Sequence, residues 1–228
     1  MELETIKKFG LSDQVEEKIK EQIISLNIKP GTRILIDKIA LKLGVSKTPV
    51  REALKKLTAK GLIIYNDYNN SYRVVKYTKK DIEDIYNIRI SLEVLASKLA
   101  VNNIDDKFIS DVDELLNKVK NKLGEESIDF YALNDIKFHH MISKKSENSR
   151  LIEMLNNLRE QIFYIRRWLT PTDLKLLSEE KTFNEHIKIF MSLKSKNPEK
   201  VVETMEKHLE NGKERTLKWF EKSQLKFY

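Results

Sequence analysis

Four side chains of types that commonly bind metal ions lie on inward faces of predicted helices in the C-terminal two thirds of the sequence. In the stretch NDIKFHHMI, Asp135 and His139 are four residues apart and therefore share one face of a helix. His186 and His208 each fall in an apolar stripe further along the chain, whereas His140 lies on a different face from His139 and is expected to be solvated. An aspartate and three inward-facing histidines are one way to build a divalent-cation site, and separate core histidines are the other interpretation. The spacing alone does not show that the four side chains converge.

One arginine also interrupts an apolar stripe. Arg89 shares a helical stripe in IYNIRISLEVLASKLA with Ile85, Leu92, Ala96 and Leu99. The pattern therefore predicts that Arg89 points into a helical bundle. It either forms a structural ion pair with Glu93, four residues on, or binds an anionic ligand inside a pocket.

A second group of residues has the charge expected of a surface that binds a polyanion. Residues 29–60 contain nine Lys or Arg and two acidic residues, and residues 1–76 contain 15 basic and 9 acidic residues. Residues 77–228 are nearly balanced, with 27 basic and 26 acidic residues. The basic excess is therefore an N-terminal property, which indicates either a nucleic-acid surface or a solvated lysine-rich face.

The stretch GVSKTPVREALKKL places part of this charge along one face of a short helix. Its apolar positions, expected to face a core, are Val50, Ala53, Leu54 and Leu57. Its cations on the opposite face are Lys47, Arg51 and Lys55. Pro49 is tolerated in a first helical turn, and Ser46 or Thr48 can cap that turn. The basic N-terminal end suits the major groove of DNA, and a protein-contacting helix is the alternative.

The elements around this helix predict a winged helix-turn-helix. A first helix runs from about Ser12 to Leu26, and a second ends at Gly44, which is placed to adopt a left-handed conformation. After Gly61, the runs LIIYN and YRVVK flank the turn-forming cluster DYNNS and predict a hairpin. Its Asn69-Asn70 turn is placed to touch the minor groove or the DNA backbone.

The rest of the chain has the pattern of a helical bundle. From Thr78 onward about six helices are predicted, and charge and pattern both shift near Lys76. We therefore expect a mainly α protein with a winged helix-turn-helix at 1–76 and an all-helical domain at 77–228. There is no cysteine, which excludes disulfides, thiolate zinc sites and cysteine nucleophiles. No apolar segment resembles a signal peptide or a membrane span, so we expect a cytoplasmic protein with no membrane partner.

Residues Pro30 to Ile63 carry a family resemblance. The segment PGTRILIDKIALKLGVSKTPVREALKKLTAKGLI resembles the DNA-binding signature of GntR-type transcription regulators. Carried over by position, the resemblance implies DNA contacts from Arg33, Lys38, Ser46, Lys47, Thr48 and Arg51. Lys47 stands where the family usually has Arg, and an ammonium group cannot form the bidentate fork of a guanidinium. We therefore expect Lys47 to contact phosphate and Arg51 to carry base recognition.

Shorter motifs in the helical part resemble the FCD type of ligand-binding domain in the FadR-like branch of the same family. The motifs are RISLE at 89–93, DIKFH at 135–139, EHIKI at 185–189 and HL at 208–209. The resemblance implies that Asp135, His139, His186 and His208 hold a divalent cation at the base of a pocket for small carboxylates. Imidazole ligands suit Zn²⁺ or Ni²⁺, and Arg89 would bind an effector carboxylate.

These resemblances imply a regulator and not an enzyme. The expected protein is a homodimeric repressor that binds a double-stranded DNA operator and is controlled by a small organic acid at the metal site. One alternative is a metal-free regulator that senses an acyl-type ligand. A metal-dependent hydrolase is the other, although Glu185, the obvious candidate base, is adjacent to His186 in sequence and should face another way.

Overall fold

The computed structural model describes residues 10–124, 127–169 and 175–225 of the 228-residue chain. The chain divides into two compact units, Met1–Lys76 and Tyr77–Tyr228. The first combines helices with a small sheet, and the described part of the second is helical. The prediction of a mainly α protein with an N-terminal winged helix-turn-helix and a C-terminal helical bundle is confirmed.

The N-terminal unit contains three helices and a three-stranded antiparallel sheet. The helices are α1 (Leu11–Ile24), α2 (Ile36–Leu43) and α3 (Lys47–Ala59). The strands are β1 (Arg33–Ile34), β2 (Ile63–Asn66) and β3 (Ser71–Val74), in the order β1-β3-β2. The sequence pattern predicted the β2–β3 hairpin but not β1, because a two-residue strand is too short to show an alternating pattern.

The core of this unit lies between α3, α1 and the sheet. The four apolar residues expected on the inner face of α3, Val50, Ala53, Leu54 and Leu57, are fully buried. Gly44 ends α2 with a φ of 65°, in the predicted left-handed conformation. Ser46 occupies the N-cap of α3 in an extended conformation, but its side chain makes no capping hydrogen bond, contrary to the expectation from its position.

Six α-helices make up the described part of the C-terminal unit. They are α4 (Lys79–Ala100), α5 (Asp106–Lys120), α6 (Ile128–Lys145), α7 (Ser149–Leu169), α8 (Lys175–Lys194) and α9 (Pro198–Leu225). A short 3₁₀ turn, Val101–Asn103, follows α4. Helix α4 packs against α6, α7 and α9, and α8 packs against α5 and α9. Among the described residues, no helix is long and apolar enough to cross a membrane.

Helix α4 begins at a capping box and buries polar residues on one face. Thr78 caps it together with Asp81, whose carboxylate accepts a 2.8 Å hydrogen bond from the Thr78 backbone N–H. Arg89 is buried as predicted, but two members of its expected stripe are not. Leu92 is half-buried against Leu151 and Leu155 of α7. Leu99 is 36% exposed, because it belongs to a second apolar stripe of α4 that faces outward.

Candidate metal centre and nucleic-acid interface

Four buried side chains from three helices meet inside the C-terminal unit. Asp135 and His139 come from α6, His186 from α8 and His208 from α9, and one potential ligand atom from each lies within 4.8 Å of all the others. His139 Nε2 is 3.1 Å from His208 Nε2, and His186 Nε2 is 3.5 Å from Asp135 Oδ1. The residues selected by spacing are therefore brought together, and we call them the Asp/His cluster.

Two glutamates contact two histidines of this cluster at their Nδ1 atoms. His208 Nδ1 is 2.8 Å from Glu185 Oε2, and His139 Nδ1 lies against Glu93 Oε2. A carboxylate in this position orients the imidazole and selects the tautomer with its proton on Nδ1. The Nε2 lone pairs of His139 and His208 then both point toward the centre of the cluster.

The donor set fits a cation for a specific electrostatic reason. Two imidazole lone pairs that face each other at 3.1 Å repel unless a proton or a metal ion lies between them. His186 Nε2 is buried and has no hydrogen-bond partner among the described residues. Nitrogen ligands from imidazole with one carboxylate oxygen suit Zn²⁺, Ni²⁺ and similar ions. The cluster could therefore hold a divalent cation.

Burial keeps two of the histidines in the neutral form that metal ions require. Burial lowers the pKa of His208 to about 4, against the opposing effect of Glu185, and it lowers the pKa of His186 well below its usual range. A neutral imidazole presents a lone pair without first losing a proton. At neutral pH these two side chains are therefore ready to act as ligands.

The acidic groups are ionised because arginines offset their burial. Burial by itself would raise the pKa of Asp135, but Arg166, whose guanidinium lies 2.7 Å from Asp135 Oδ2, together with neighbouring charges holds it well below its usual range. Burial also opposes ionisation of Glu93, and Arg89 and His139 outweigh it, so that the pKa of Glu93 is strongly lowered. Asp135 is therefore a charged potential ligand.

Arg89 forms the ion pair that its sequence position predicted, and its anion-binding role stays a prediction. Its Nε donates a 2.7 Å hydrogen bond to Glu93 Oε1 inside the bundle, which is the expected ion pair. The same side chain lines a small cavity beside the cluster. Asp135, His208, Arg166 and Arg215 line the cavity as well. We call it the arginine cavity.

Several supporting residues were not predicted from the sequence. Arg166 lies on α7, and Arg215 on α9 binds both oxygens of Glu185 at 2.9 Å. Glu185 faces away from the centre of the cluster, as its place beside His186 suggested, but it contacts the outer side of His208. The expectation of a solvated His140 was wrong, because that residue is half-buried and its Nδ1 lies 2.7 Å from Arg159 Nη1. These contacts join residues distant in sequence, so no local pattern signals most of them.

The residues predicted to contact DNA are all exposed in the N-terminal unit. Arg33 lies on β1, Lys38 on α2, and Asn69 and Asn70 in the turn between β2 and β3. The other four lie at the N-terminal end of α3 and are Ser46, Lys47, Thr48 and Arg51. The Lys47 ammonium is 2.9 Å from a carboxylate oxygen of Asp37, in an exposed ion pair. Lys47 is therefore partly neutralised in the free protein.

The turn between β2 and β3 is organised by its own side chains. Asn70 has a φ of 47°, and its Oδ1 accepts a 2.6 Å hydrogen bond from the Tyr65 hydroxyl. Asn69 Oδ1 accepts a hydrogen bond from Ser71. Tyr68, which no sequence pattern singled out, is 98% exposed in this turn. The turn therefore presents amide groups and an aromatic ring to solvent.

Comparison with known proteins agrees with both units. The profile described as "Bacterial regulatory proteins, gntR family" matches residues 11–69, and the profile of the FCD domain matches residues 84–211. The chain belongs to the GntR family of transcription regulators and carries an FCD domain. GntR regulators bind DNA operators, so this chain is a DNA-binding transcription regulator.

Individual relatives support the assignment to the GntR family. The HTH-type transcriptional regulator YdhC of Bacillus subtilis is 31% identical over 188 residues, which cover 82% of each chain. The gluconate operon transcriptional repressor of Bacillus licheniformis is 24% identical over 196 residues, covering 85% of this chain and 79% of the relative. The solved structure of McbR/YncC from Escherichia coli superposes with a TM-score of 0.76 at 24% identity, covering 93% of this chain and all of that one, which shows a shared fold.

Proposed function

We propose that this GntR-family protein is a homodimeric repressor controlled by a small organic acid bound beside a divalent cation. In this proposal residues 1–76 bind the operator, and residues 77–228 bind the cation and the effector and form the dimer. The protein then works in the cytoplasm, where its operator lies. The observation that carries the proposal is the buried Asp/His cluster next to a cavity lined by arginines.

The proposed ligand chemistry follows from the buried side chains. Asp135, His139, His186 and His208 would hold the cation, which when bound would supply a strong positive charge at the edge of the arginine cavity. Glu93 and Glu185 keep two of the imidazoles in the orientation and tautomer needed for ligation. Arg89 adds a guanidinium on the cavity wall, a group that pairs well with carboxylates.

The proposed DNA contacts lie on two elements of the N-terminal unit. The start of α3, with Ser46, Thr48 and Arg51, would enter the major groove, while Asn69 and Asn70 would touch the minor groove or the backbone. Arg33, Lys38 and Lys47 would contact phosphates. Support comes from the exposure of all eight residues and from the local excess of positive charge.

The proposed dimer surface is the outward apolar stripe of α4. Ile88, Leu95 and Leu99 are 36–50% exposed at helical spacing, and Met154 of α7 is 52% exposed. An apolar stripe of this kind on a water-exposed helix is typical of a protein contact. A two-fold dimer would also match the two half-sites that helix-turn-helix regulators bind.

Operator selection followed by gel-shift titration tests this function. The purified full-length protein should select a short palindromic DNA sequence from a random pool. We expect it to bind this sequence as a dimer and to release it when Ni²⁺ or Zn²⁺ and a suitable carboxylate are both present. If no DNA sequence is enriched, or if no carboxylate in a broad panel changes binding of the cation-loaded protein, the proposed function is wrong.

A further inference from the structure

The turn between β2 and β3, which we call the wing turn, spans residues 67–70 and carries no positive charge. Asp67 is the one charged residue from Gly61 to Tyr72, whereas residues 29–60 contain nine Lys or Arg. A carboxylate repels the phosphates of DNA, which bind mainly to cations. The wing turn is therefore poorly suited to the DNA backbone, and its amide groups suit base edges better.

Both asparagine side chains of the wing turn have their oxygen atoms occupied. Asn70 Oδ1 accepts a 2.6 Å hydrogen bond from the Tyr65 hydroxyl, and Asn69 Oδ1 accepts one from the Ser71 hydroxyl. A hydroxyl can donate to the oxygen of an amide but not to its NH2 group, so these contacts fix which way each amide faces. Among the described residues no acceptor binds Nδ2 of Asn69 or Asn70. Both NH2 groups therefore remain available as donors.

The sheet holds the side chain that orients Asn70. Tyr65 lies opposite Tyr72 in the register of β2 and β3, and the centroids of the two rings are 4.7 Å apart. Inside the wing turn, the Asn69 backbone N–H donates a 3.3 Å hydrogen bond to Asn66 Oδ1. Asn70 has a φ of 47°, which asparagine adopts more readily than most residues. The two amides are therefore oriented in the free protein by contacts within the hairpin.

A pair of outward donors distinguishes the base pairs of the minor groove. An A·T or T·A pair presents only acceptors there, adenine N3 and thymine O2, whereas a G·C pair adds the guanine N2 amino donor. The NH2 groups of Asn69 and Asn70 can bind the acceptors of A·T pairs, but at guanine they meet another donor. A donor left without an acceptor in an interface weakens binding, because it has lost its hydrogen bonds to water. The wing turn should therefore prefer A·T pairs.

We propose that the wing turn recognises A·T base pairs in the minor groove through the NH2 groups of Asn69 and Asn70. Tyr65 and Ser71 are positioning residues, because their hydroxyls hold the amide oxygens and so turn the NH2 groups toward DNA. The inference rests on the DNA contacts of the proposed function and deepens them. It selects base edges over the DNA backbone as the target of the turn, and it names the base pair that the turn favours.

Two DNA duplexes that differ in the minor groove test this inference. One has alternating G·C pairs, and in the other inosine replaces every guanine, which removes the N2 amino group and leaves O6 and N7 in the major groove unchanged. Every register of such DNA offers the wing turn the same groove floor, so the operator need not be known. Fluorescence anisotropy measures the affinity of the full-length protein for each duplex. We expect the inosine duplex to bind about fivefold more tightly or better, at the lower end of the effect of one mismatched base pair.

Matched variants of the hairpin locate the source of the preference. Asn70→Asp replaces the NH2 donor with an acceptor of the same shape, so it should remove or reverse the preference for inosine, although its charge weakens binding to both duplexes. Tyr65→Phe keeps the ring that lies against Tyr72 but frees the Asn70 amide to rotate, and it should reduce the preference. Tyr68→Phe is the control, because Tyr68 is 98% exposed and its hydroxyl bonds neither asparagine. It should keep the full preference.

The outcomes separate this inference from the function on which it rests. Arg51→Ala should weaken binding to both duplexes and leave the preference unchanged, because inosine and guanine are alike in the major groove. If the protein binds neither duplex, the proposed DNA contacts fail, and this inference fails with them. If it binds both duplexes equally, the recognition of A·T pairs is overturned while DNA binding stands. Equal loss of preference in Tyr68→Phe and Tyr65→Phe would overturn the positioning role of Tyr65. Circular dichroism checks that each variant folds, and the comparison of the two duplexes in the unaltered protein tests the proposal without any variant.

Discussion

The two charged regions of this chain are built in opposite ways. In the N-terminal unit, eight polar or cationic side chains face solvent, and the Lys47–Asp37 pair is exposed. In the C-terminal unit, the Asp/His cluster is buried, its aspartate is bonded to Arg166, and two of its three histidines contact glutamates. Exposed charges are screened and act nearly independently, whereas a buried charge depends on its partners. A single substitution in the first region should therefore affect only its own contacts, whereas one in the second region should also change the behaviour of its neighbours.

Loss of the α3 core should have the largest effect on stability. Leu54 is fully buried on the inner face of α3, and Leu54→Ala is expected to destabilise the N-terminal unit by about 2–5 kcal/mol. Urea unfolding measures this loss, and operator binding should fall with it. Leu41→Ala is the control, because Leu41 is 84% exposed and its truncation should cost less than about 0.5 kcal/mol. Unchanged stability in Leu54→Ala would contradict the packing of α3 against the core.

Arg51→Ala should weaken operator binding without unfolding the protein. If Arg51 makes a bidentate contact to a base, its loss should cost about 1–3 kcal/mol of binding free energy and relax specificity at one base pair. A gel-shift titration against operators altered at single positions measures both effects. Lys18→Ala on α1, where the lysine pairs with Glu21 at 3.1 Å, is the matched surface control. Unchanged operator affinity would remove Arg51 from the recognition surface.

Glu185→Gln should weaken cation binding although Glu185 is not among the proposed ligands. The amide can keep a contact with His208 Nδ1 but loses the negative charge that strengthens the imidazole, so we expect about a tenfold loss of Ni²⁺ affinity. Chelator competition measures this loss. Glu210→Gln is the control, because Glu210 pairs with Lys213 at 3.3 Å. Equal affinities for the two variants would show that Glu185 has no role in positioning His208.

Lys47→Ala should have the smallest of these effects. The exposed pair with Asp37 already neutralises part of the lysine charge. Loss of a phosphate contact should weaken binding almost equally on every DNA sequence. It should also reduce the steepness of log affinity against log salt concentration by about one. Affinity measured at several salt concentrations tests this expectation. A loss confined to one base pair would instead make Lys47 a base-reading residue.

The contrast between the regions also explains how much the sequence could predict. The inner face of α3 follows a helical period within a single short segment, so the period alone identifies Val50, Leu54 and Leu57 as core residues. In the cluster, Asp135 and His139 share a helix turn, and His186 and His208 stood out only as polar residues in apolar stripes. Their convergence depends on how α6, α8 and α9 pack, which no local pattern encodes.

The arginine–carboxylate pairs beside the cluster lay beyond sequence reasoning for the same reason. Arg215 and Glu185 are 30 residues apart on different helices, and Arg166 and Asp135 are 31 residues apart. The Arg89–Glu93 pair was the exception, because a spacing of four residues brings both side chains to one face of a helix. The outward stripe of α4 was missed because Leu99 fits an inward stripe equally well by period.

Cation stoichiometry tests the central claim most directly. Native mass spectrometry of the full chain after stripping, incubation with Ni²⁺ or Zn²⁺ and removal of excess metal should show one divalent cation per chain. His186→Ala should bind none, whereas His140→Ala, which alters the neighbouring histidine paired with Arg159, should still bind one. Full cation occupancy in His186→Ala, or none in the unaltered protein, would contradict the account of the cluster.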